Sequence, residues 1–330
     1  MDGLKIPENR KIVVGVGSAL MDMLATEPDE FMERLGVEKG GMNLVDQHYI
    51  DQLIVQTSSP PSLVPGGSAC NTAIGVGKLG GNARFVGKMG NDDLGALFKQ
   101  DLEKNSVEPV LFNSPTPTGR VLSVITQDAQ RSMFTCLGAS AEMHPDEISL
   151  DCFQGAAVVH VEGYLLFNRD LMMAVLKSAK EAGSLISLDL ASFNVVESSM
   201  DILEDIIKEY VDILIANEDE AKAYCGHINE TEAVKALSDN VDVAVLKLGS
   251  RGSRIAHLEQ ILTIDPMGSG EAMDTTGAGD LWASGFLFGM VNGYSFEKSG
   301  QLASACGYEV CRVIGAKIPE DGWARIRKLL

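Results

Sequence analysis

Residues 274–280 read DTTGAGD and run directly into the apolar stretch LWASGFLFGM. Two aspartates, Asp274 and Asp280, bracket some of the smallest side chains available. Beyond them Leu281, Ala283, Phe286, Leu287 and Met290 recur at helical spacing. Gly277, Ala278, Gly279 and Asp280 therefore fall at or just inside a helix start, with Thr275 or Thr276 placed to cap it. A helix start presents unpaired N–H groups and the positive end of the helix dipole. Small side chains let an anion come close to that backbone. An acid beside it can take a proton from an attacking hydroxyl while the amides hold a transferring phosphoryl group. A capped helix behind a flexible glycine loop would use the same residues.

A second glycine cluster, PGGSACNTA at 65–73, places Gly66 and Gly67 before a helix expected over 68–79. Asn71 lies one turn into that helix, where its amide can meet a polar ligand. A third group, NEDE at 217–220, follows an apolar strand pattern, and Asn217 and Glu220 share a face of the helix that begins there. An amide and a carboxylate at that spacing suit water-mediated Mg²⁺ and phosphate work, or simple helix capping. Further on, LKLGSRG at 246–252 ends a strand with Gly249, Ser250 and Gly252 in a turn.

The elements that must position these groups are legible as short β-branched runs at 12–16, 83–86, 157–161, 185–188, 213–215 and 243–246. Helical patterns lie between several of them, at 168–181, 200–210 and 230–237. Strand and helix alternate, which implies βαβ units and a mainly parallel sheet with ligands beyond its C-terminal strand ends. Two segments break the rhythm. TGRVLSVIT (118–126) and RSMFTC (131–136) flank the polar turn QDAQ and read as a hairpin. Residues 41–45 and 14–24 offer further strands beside it, forming a small β layer placed to act as a lid. TSSPPSLVP (57–65) reads as a loop.

Bulk composition narrows the function. The chain has 330 residues, 45% hydrophobic and 22% charged, which is ample for a large buried core. A net charge of −19 argues against nucleic acid, whose phosphates need neutralising Lys and Arg. No stretch is apolar enough for a membrane span or signal core, so a cytoplasmic protein is expected. Six cysteines without a C-x-x-C pair read as reduced thiols, and five histidines show no zinc spacing.

These motifs, in this order and across nearly the whole chain, resemble the ribokinase-like, or PfkB, family of sugar and nucleoside kinases. DTTGAGD is similar to that family's C-terminal signature, and Gly66–Gly67…Asn71 and Asn217-x-x-Glu220 to two more of its motifs. The resemblance implies an α/β fold: a three-layer α/β/α sandwich with a mainly parallel central sheet and a small β-sheet lid. It implies one domain over 1–330, the lid coming from segments 14–48 and 110–137. It implies ATP, Mg²⁺ and, in some relatives, K⁺. By position, Asp280 is then the catalytic base and Gly277, Ala278 and Gly279 the anion hole. Asp22, in GSALMD, matches the acid that grips substrate hydroxyls, and Gly66, Gly67 and Asn71 complete that pocket. Asn217 and Glu220 organise Mg²⁺ and phosphate; Gly249, Ser250 and Gly252 run along the ATP site, with the helix at 303–306 near the base. Asp274 matches a monovalent-cation position.

The acceptor is less legible. KGGMNLVD (39–46), PTGRVLSVIT (117–126), AQRSMFTCLGAS (129–140) and VIGAKIP (313–319) look like the branch holding adenosine-kinase-like proteins. Met42, Met133 and Phe134 give an apolar edge fit for a base, or pack within the lid. DLASFNV (189–195), after a strand at the site, suits sugar hydroxyls. The expected reaction is transfer of the ATP γ-phosphoryl group to a primary hydroxyl of a small molecule. Adenosine comes first as acceptor and fructose or ribose next, in a monomer or homodimer with no nucleic-acid or membrane partner. Two other classes compete. G-x-G-x-x-G at 75–80 fits a dinucleotide oxidoreductase by spelling, but it ends a helix instead of opening one. A ligand sensor on the kinase fold would not need an intact Asp280.

Overall fold

The structure is a computed structural model that describes residues 4, 6–37, 39, 41–127, 130–270 and 272–330. Asp128 and Ala129 of the expected hairpin turn, Gly40 and Glu271 lie outside the described residues. The strands are β1 (Ile12–Val16), β2 (Leu20–Thr26), β3 (Met42–Leu44), β4 (Ser62–Gly66), β5 (Asn82–Gly90), β6 (Val107–Ser114) and β7 (Thr118–Ile125), followed by β8 (Arg131–Gly138), β9 (Ala156–Glu162), β10 (Leu185–Asp189), β11 (Ile213–Asn217), β12 (Val243–Lys247), β13 (Ser253–His257) and β14 (Gln260–Ile264). They form a large sheet in the order β14-β13-β12-β11-β10-β9-β1-β5-β6 and a small one in the order β3-β8-β7-β2-β4. The large sheet is parallel from β12 to β6, and β13 and β14 add an antiparallel edge.

Both faces of the large sheet are covered, which is why its strands read as continuous apolar runs. Successive side chains alternate between faces. Val159, Val161, Leu214 and Ala216 enter one core, beneath helices Arg169–Glu181 and Phe193–Tyr210. Ile213, Ile215, Val243 and Val245 enter the other, beneath helices Ser68–Lys78, Ala278–Val291 and Phe296–Val310. The architecture is thus the expected three-layer α/β/α arrangement with a second, smaller sheet. Gly75 and Gly77 serve packing, as their place near a helix end suggests. A Cβ on Gly75 would stand 2.3 Å from Ser284 Oγ, where two helices cross, and one on Gly77 2.2 Å from the Asn105 carbonyl.

The small sheet contains the expected hairpin, β7 against β8, and takes β3 beside β8. Its composition differs from the sequence reading in three places. Residues 14–16 belong to β1 of the large sheet, and residues 110–114 to β6. The stretch expected to be a loop, 57–65, ends in strand β4, which pairs antiparallel with β2. Pro65 made that stretch look like a loop, because proline cannot donate to a ladder. An edge strand tolerates it, and β4 is an edge.

The two faces of the small sheet are unlike. Leu122, Val124 and Phe134 point to one side and pack with Phe31, Met32, Ile50 and Leu53 from helices Asp29–Leu35 and Gln47–Gln56. Asp22, Val121, Arg131, Met133 and Thr135 alternate to the other side and face a cleft. The small sheet therefore carries a core of its own and turns a second, more polar face to the large sheet.

Candidate active site

The cleft between the sheets encloses about 890 Å³ and is walled by the strand ends of the large sheet, two helix starts and the inner face of the small sheet. That size is typical of small-molecule sites. Asp280 is the third residue of the Ala278–Val291 helix. Its N-cap is Gly277, at φ 72°, not Thr275 or Thr276. Glycine takes that left-handed conformation without strain, and a Cβ there would stand 2.6 Å from Ala316 Cβ. No side chain caps this helix; the Ala278 amide donates to the Thr275 carbonyl at 3.1 Å, and residues 277–280 line the cleft. Thr276 is committed elsewhere: its hydroxyl donates to Asp274 Oδ1 at 2.6 Å and accepts from the Arg131 guanidinium.

The Ser68–Lys78 helix meets this one at its own start. Ser68 Oγ donates to Asp280 Oδ1 at 2.8 Å, and Asn71 Nδ2 donates to Asp280 Oδ2 at 2.9 Å. Thr72 Oγ1 donates to the Asp280 carbonyl at 3.1 Å. Burial pushes the Asp280 carboxyl up from the usual carboxylate range, and the Asn71 and Ser68 donors pull it back in part. Gly67 caps the second helix at φ 100°, and a Cβ on it would stand 2.3 Å from the Ser18 carbonyl. The Ala69 amide of that helix donates to Glu162 Oε2 at 3.2 Å, while the Ser18 amide donates to Glu162 Oε1 at 2.8 Å. Burial pushes Glu162 up to about 7, against those two amides.

Asp22 is buried on β2 with its side chain in the cleft. Burial raises it to about 6, Arg131 lowers it, and Asp280 and Asp274 raise it further. Gly66 leaves room for it, since a Cβ there would stand 2.5 Å from Asp22 Oδ2. At the far wall Asn217 and Glu220 form a reciprocal cap. The Asn217 amide and side-chain Nδ2 each donate to Glu220 at 2.7 Å, and the Glu220 amide donates to Asn217 Oδ1 at 2.9 Å. Burial raises the Glu220 carboxyl despite the nearby Lys247.

Nine of the residues singled out from sequence thus line one cleft: Asp22, Gly67, Asn71, Asn217, Glu220, Gly277, Ala278, Gly279 and Asp280. Gly66 lies just behind Asp22. Asp274 sits beneath the Gly277 loop, where its carboxylate accepts from the amides of Thr276 (2.9 Å) and Gly315 (2.8 Å). Gly249, Ser250 and Gly252 form the turn after β12, with Gly249 and Ser250 exposed and outside this wall.

Four residues of the site were not read from sequence, Ser68, Arg131, Glu162 and Lys247, and Asp189, read there as suited to sugar hydroxyls, is paired with one of them. Lys247 Nζ donates to Asp189 Oδ2 at 2.8 Å, at the ends of β12 and β10. Strand alternation was the available signal for two of the four. Glu162 and Lys247, like Asp189, fall at C-terminal strand ends on the face shared with Ile215 and Val245, opposite the one filled by Val161 and Leu188. Nothing local distinguishes Ser68 or Arg131.

As to a metal, no cluster of three or more His, Cys, Asp or Glu side chains able to hold an ion occurs among the described residues. Glu220 and Asn217 line the cleft together, a carboxylate and an amide. That donor set fits a divalent ion carried on nucleotide phosphates and held through water, the usual manner of Mg²⁺.

The chain matches the family described as pfkB family carbohydrate kinase over residues 45–322. It is similar to probable fructokinase-2 of Arabidopsis thaliana, at 29% identity over 327 residues, covering 91% of this chain and 90% of that protein. Among solved structures it is similar to a probable sugar kinase protein from Rhizobium etli CFN 42, with TM-score 0.90 and 30% identity, over 97% of this chain and 99% of that one. The adenosine kinase from Sinorhizobium meliloti matches equally, with TM-score 0.90, 30% identity and the same coverage.

Proposed function

The chain belongs to the pfkB family of carbohydrate kinases and is a phosphotransferase with an alcohol group as acceptor, and we propose that it transfers the γ-phosphoryl group of ATP to the primary hydroxyl of a ribonucleoside, adenosine first. The observation that carries the kinase chemistry is the carboxylate of Asp280 held at an uncapped helix start, with both oxygens fixed by donors from a second helix. Asp280 accepts the hydroxyl proton. Gly277, Ala278 and Gly279 form the anion hole that meets the charge spreading over the transferring phosphoryl oxygens. Asp22, with Gly66 and Gly67 giving it room, grips acceptor hydroxyls, and Asn71 sets the base that activates them.

Asn217 and Glu220 would hold Mg²⁺ through water, and the ion would supply neutralisation of phosphate charge. Gly249, Ser250 and Gly252 border the nucleotide. A monovalent cation at Asp274 would stiffen the Gly277 loop from beneath. Closure of the small sheet, which Arg131 already ties to Thr276, keeps water from competing for the phosphoryl group. We assign the protein to the cytoplasm on its six free cysteines; no described helix is long and apolar enough to cross a membrane.

The nucleoside reading rests on the acceptor end of the cleft. Leu20, Met42, Val121, Met133 and Leu137 line it from the small sheet, and Phe167 stands at the opposite rim, 57% exposed. An exposed aromatic ring and aliphatic side chains lining one cleft suit a flat heterocycle better than a bare sugar. Fructose is the second reading, favoured by the similarity to fructokinases. A purified-protein screen of ATP consumption across nucleosides, ketoses, aldoses and sugar phosphates decides between them. Adenosine is expected to give the highest kcat/KM. A clear preference for fructose would overturn the nucleoside reading, and silence with every acceptor would overturn the kinase.

A further inference from the structure

We propose that Lys247 is a catalytic residue whose ammonium donates to an oxygen of the transferring phosphoryl group above Gly279, and that Asp189 is the positioning residue that holds it there. The inference rests on the kinase reading and adds a cationic group to it.

The geometry starts at Gly279, the second residue of the Asp280 helix. A Cβ built on Gly279 would lie 2.9 Å from Lys247 Nζ, so the amine stands against the backbone where an anion must sit. Any side chain at that position would displace it. Lys247 is anchored by Asp189 Oδ2 at 2.8 Å. A lysine ammonium has three N–H donors, and the cleft runs past the others. Asp189 is itself fixed. Its Oδ1 accepts the Ala191 amide at 2.9 Å, and Ala191 holds a left-handed φ of 64°, which non-glycine residues adopt only when their surroundings require it.

Charge points the same way. Asp22, Glu162, Asp170, Asp189, Glu220 and Asp280 all line the cleft. A polyphosphate entering among six carboxyl groups needs cations set against it. Arg131 supplies one from the small sheet, Arg169 one from the start of the Arg169–Glu181 helix, and Lys247 one from the end of β12 beside Gly279. Burial favours the neutral amine, but Asp189, Glu220 and Asp280 outweigh it and hold the Lys247 pKa above the ordinary value, so the ammonium persists at working pH. A compact, fixed point charge is what a transferring phosphoryl group meets with least rearrangement.

In the step itself, a bond forms between the acceptor oxygen and the γ-phosphorus as the bond to the β,γ-bridging oxygen breaks. The acceptor proton passes to Asp280 and then to solvent. Lys247 keeps its proton throughout and ends on the phosphoryl oxygen of the product.

The competing explanation is a structural ion pair, in which Lys247 merely neutralises Asp189. Three variants of the full chain separate the two: K247M, D189N and the double variant K247M/D189N. Each is assayed for turnover with ATP and the best acceptor of the wild-type screen, and by calorimetry with ADP and with the non-hydrolysable β,γ-imido analogue of ATP. K247M leaves Asp189 buried without its cation and is prone to unfold. The double variant removes both charges and, with a wild-type circular dichroism spectrum, decides the matter. It is expected to lose about 10²–10³ in kcat, the usual cost of removing one preorganised donor to a developing charge. It should also lose about tenfold more affinity for the imido analogue than for ADP, since only the former carries a γ-phosphoryl group. D189N alone is expected to fall about tenfold in kcat. A double variant with wild-type turnover, or equal losses for the two nucleotides, overturns the inference and leaves the kinase reading standing. A wild-type protein that turns over no acceptor overturns both.

Discussion

Asn71 Nδ2 lies 2.9 Å from Asp280 Oδ2, and so joins the start of the Ser68–Lys78 helix to the start of the Ala278–Val291 helix. Ser68 makes the same connection to the other oxygen, at 2.8 Å. With both oxygens bound, the carboxylate cannot rotate freely, and its proton-accepting lone pairs keep one direction. Replacing Asp280 by Asn keeps the shape and removes the proposed base. The expected loss in kcat is about 10²–10⁴, with the melting temperature little changed. Near-full turnover in D280N would show that the base lies elsewhere.

The two donors also set when Asp280 ionises. Each favours the charged form and lowers a pKa that burial raises. Removing Asn71 as N71A therefore moves the carboxyl higher still. The acidic limb of the kcat/KM profile should shift to higher pH, with a loss of about tenfold at pH 6 that shrinks towards pH 8. An unmoved limb with uniformly lower activity would assign Asn71 to acceptor binding alone.

Arg131 reaches from the small sheet to the Thr276 hydroxyl and faces Asp22. Burial raises Asp22 to about 6, and Arg131 opposes that rise. In R131Q the opposition is gone, so Asp22 stays protonated to higher pH. Acceptor KM should rise by about tenfold at neutral pH and recover partly as pH increases. Stopped-flow closure kinetics, read from an environment-sensitive dye on the small sheet, should slow in the same variant.

Glu162 gives a stability signature. Its pKa is about 7 folded against 4.5 for the free side chain, so the native state holds the extra proton between those values. Its contribution to stability is full below about 4.5 and is lost as pH rises through 7. Glutamine cannot ionise. The melting temperature of E162Q, relative to wild type, should therefore improve on going from pH 5 to pH 8. A difference that stays constant across that range would place the Glu162 pKa near its ordinary value.

Phe167 tests the acceptor. Stacking of a base on an aromatic ring is worth about 1–3 kcal/mol, so F167A should raise KM for adenosine about tenfold or more. The KM for fructose, if fructose is turned over at all, should stay within about twofold. Parallel changes for both would assign the ring to packing.

Much of this site is visible in the bare sequence because its backbone demands restrict residue type. Gly277 and Gly67 cap helices at positive φ, and only glycine does that cheaply. Asn217 and Glu220 form a cap whose spacing is fixed by one helical turn. The large sheet was legible for a similar reason, since strands buried on both faces leave uninterrupted apolar runs. For other groups the local sequence carried only strand alternation or nothing, and no hint of the partner. Lys247 and Asp189 are 58 residues apart, and Ser68 and Asp280 are 212 apart. A lysine or serine at an element's end has many unremarkable uses, and only the fold decides which applies. Strand β4 was hidden by Pro65, which signals a loop unless the strand is known to lie at an edge.

The outer face of the small sheet is sealed by two helices of the same chain, around Phe31, Ile50, Leu122 and Phe134. A sheet backed in this way keeps its shape without leaning on the large sheet, because it carries packing partners of its own. The seam between the two sheets is then left to polar groups, such as the Arg131 guanidinium that reaches the Thr276 hydroxyl.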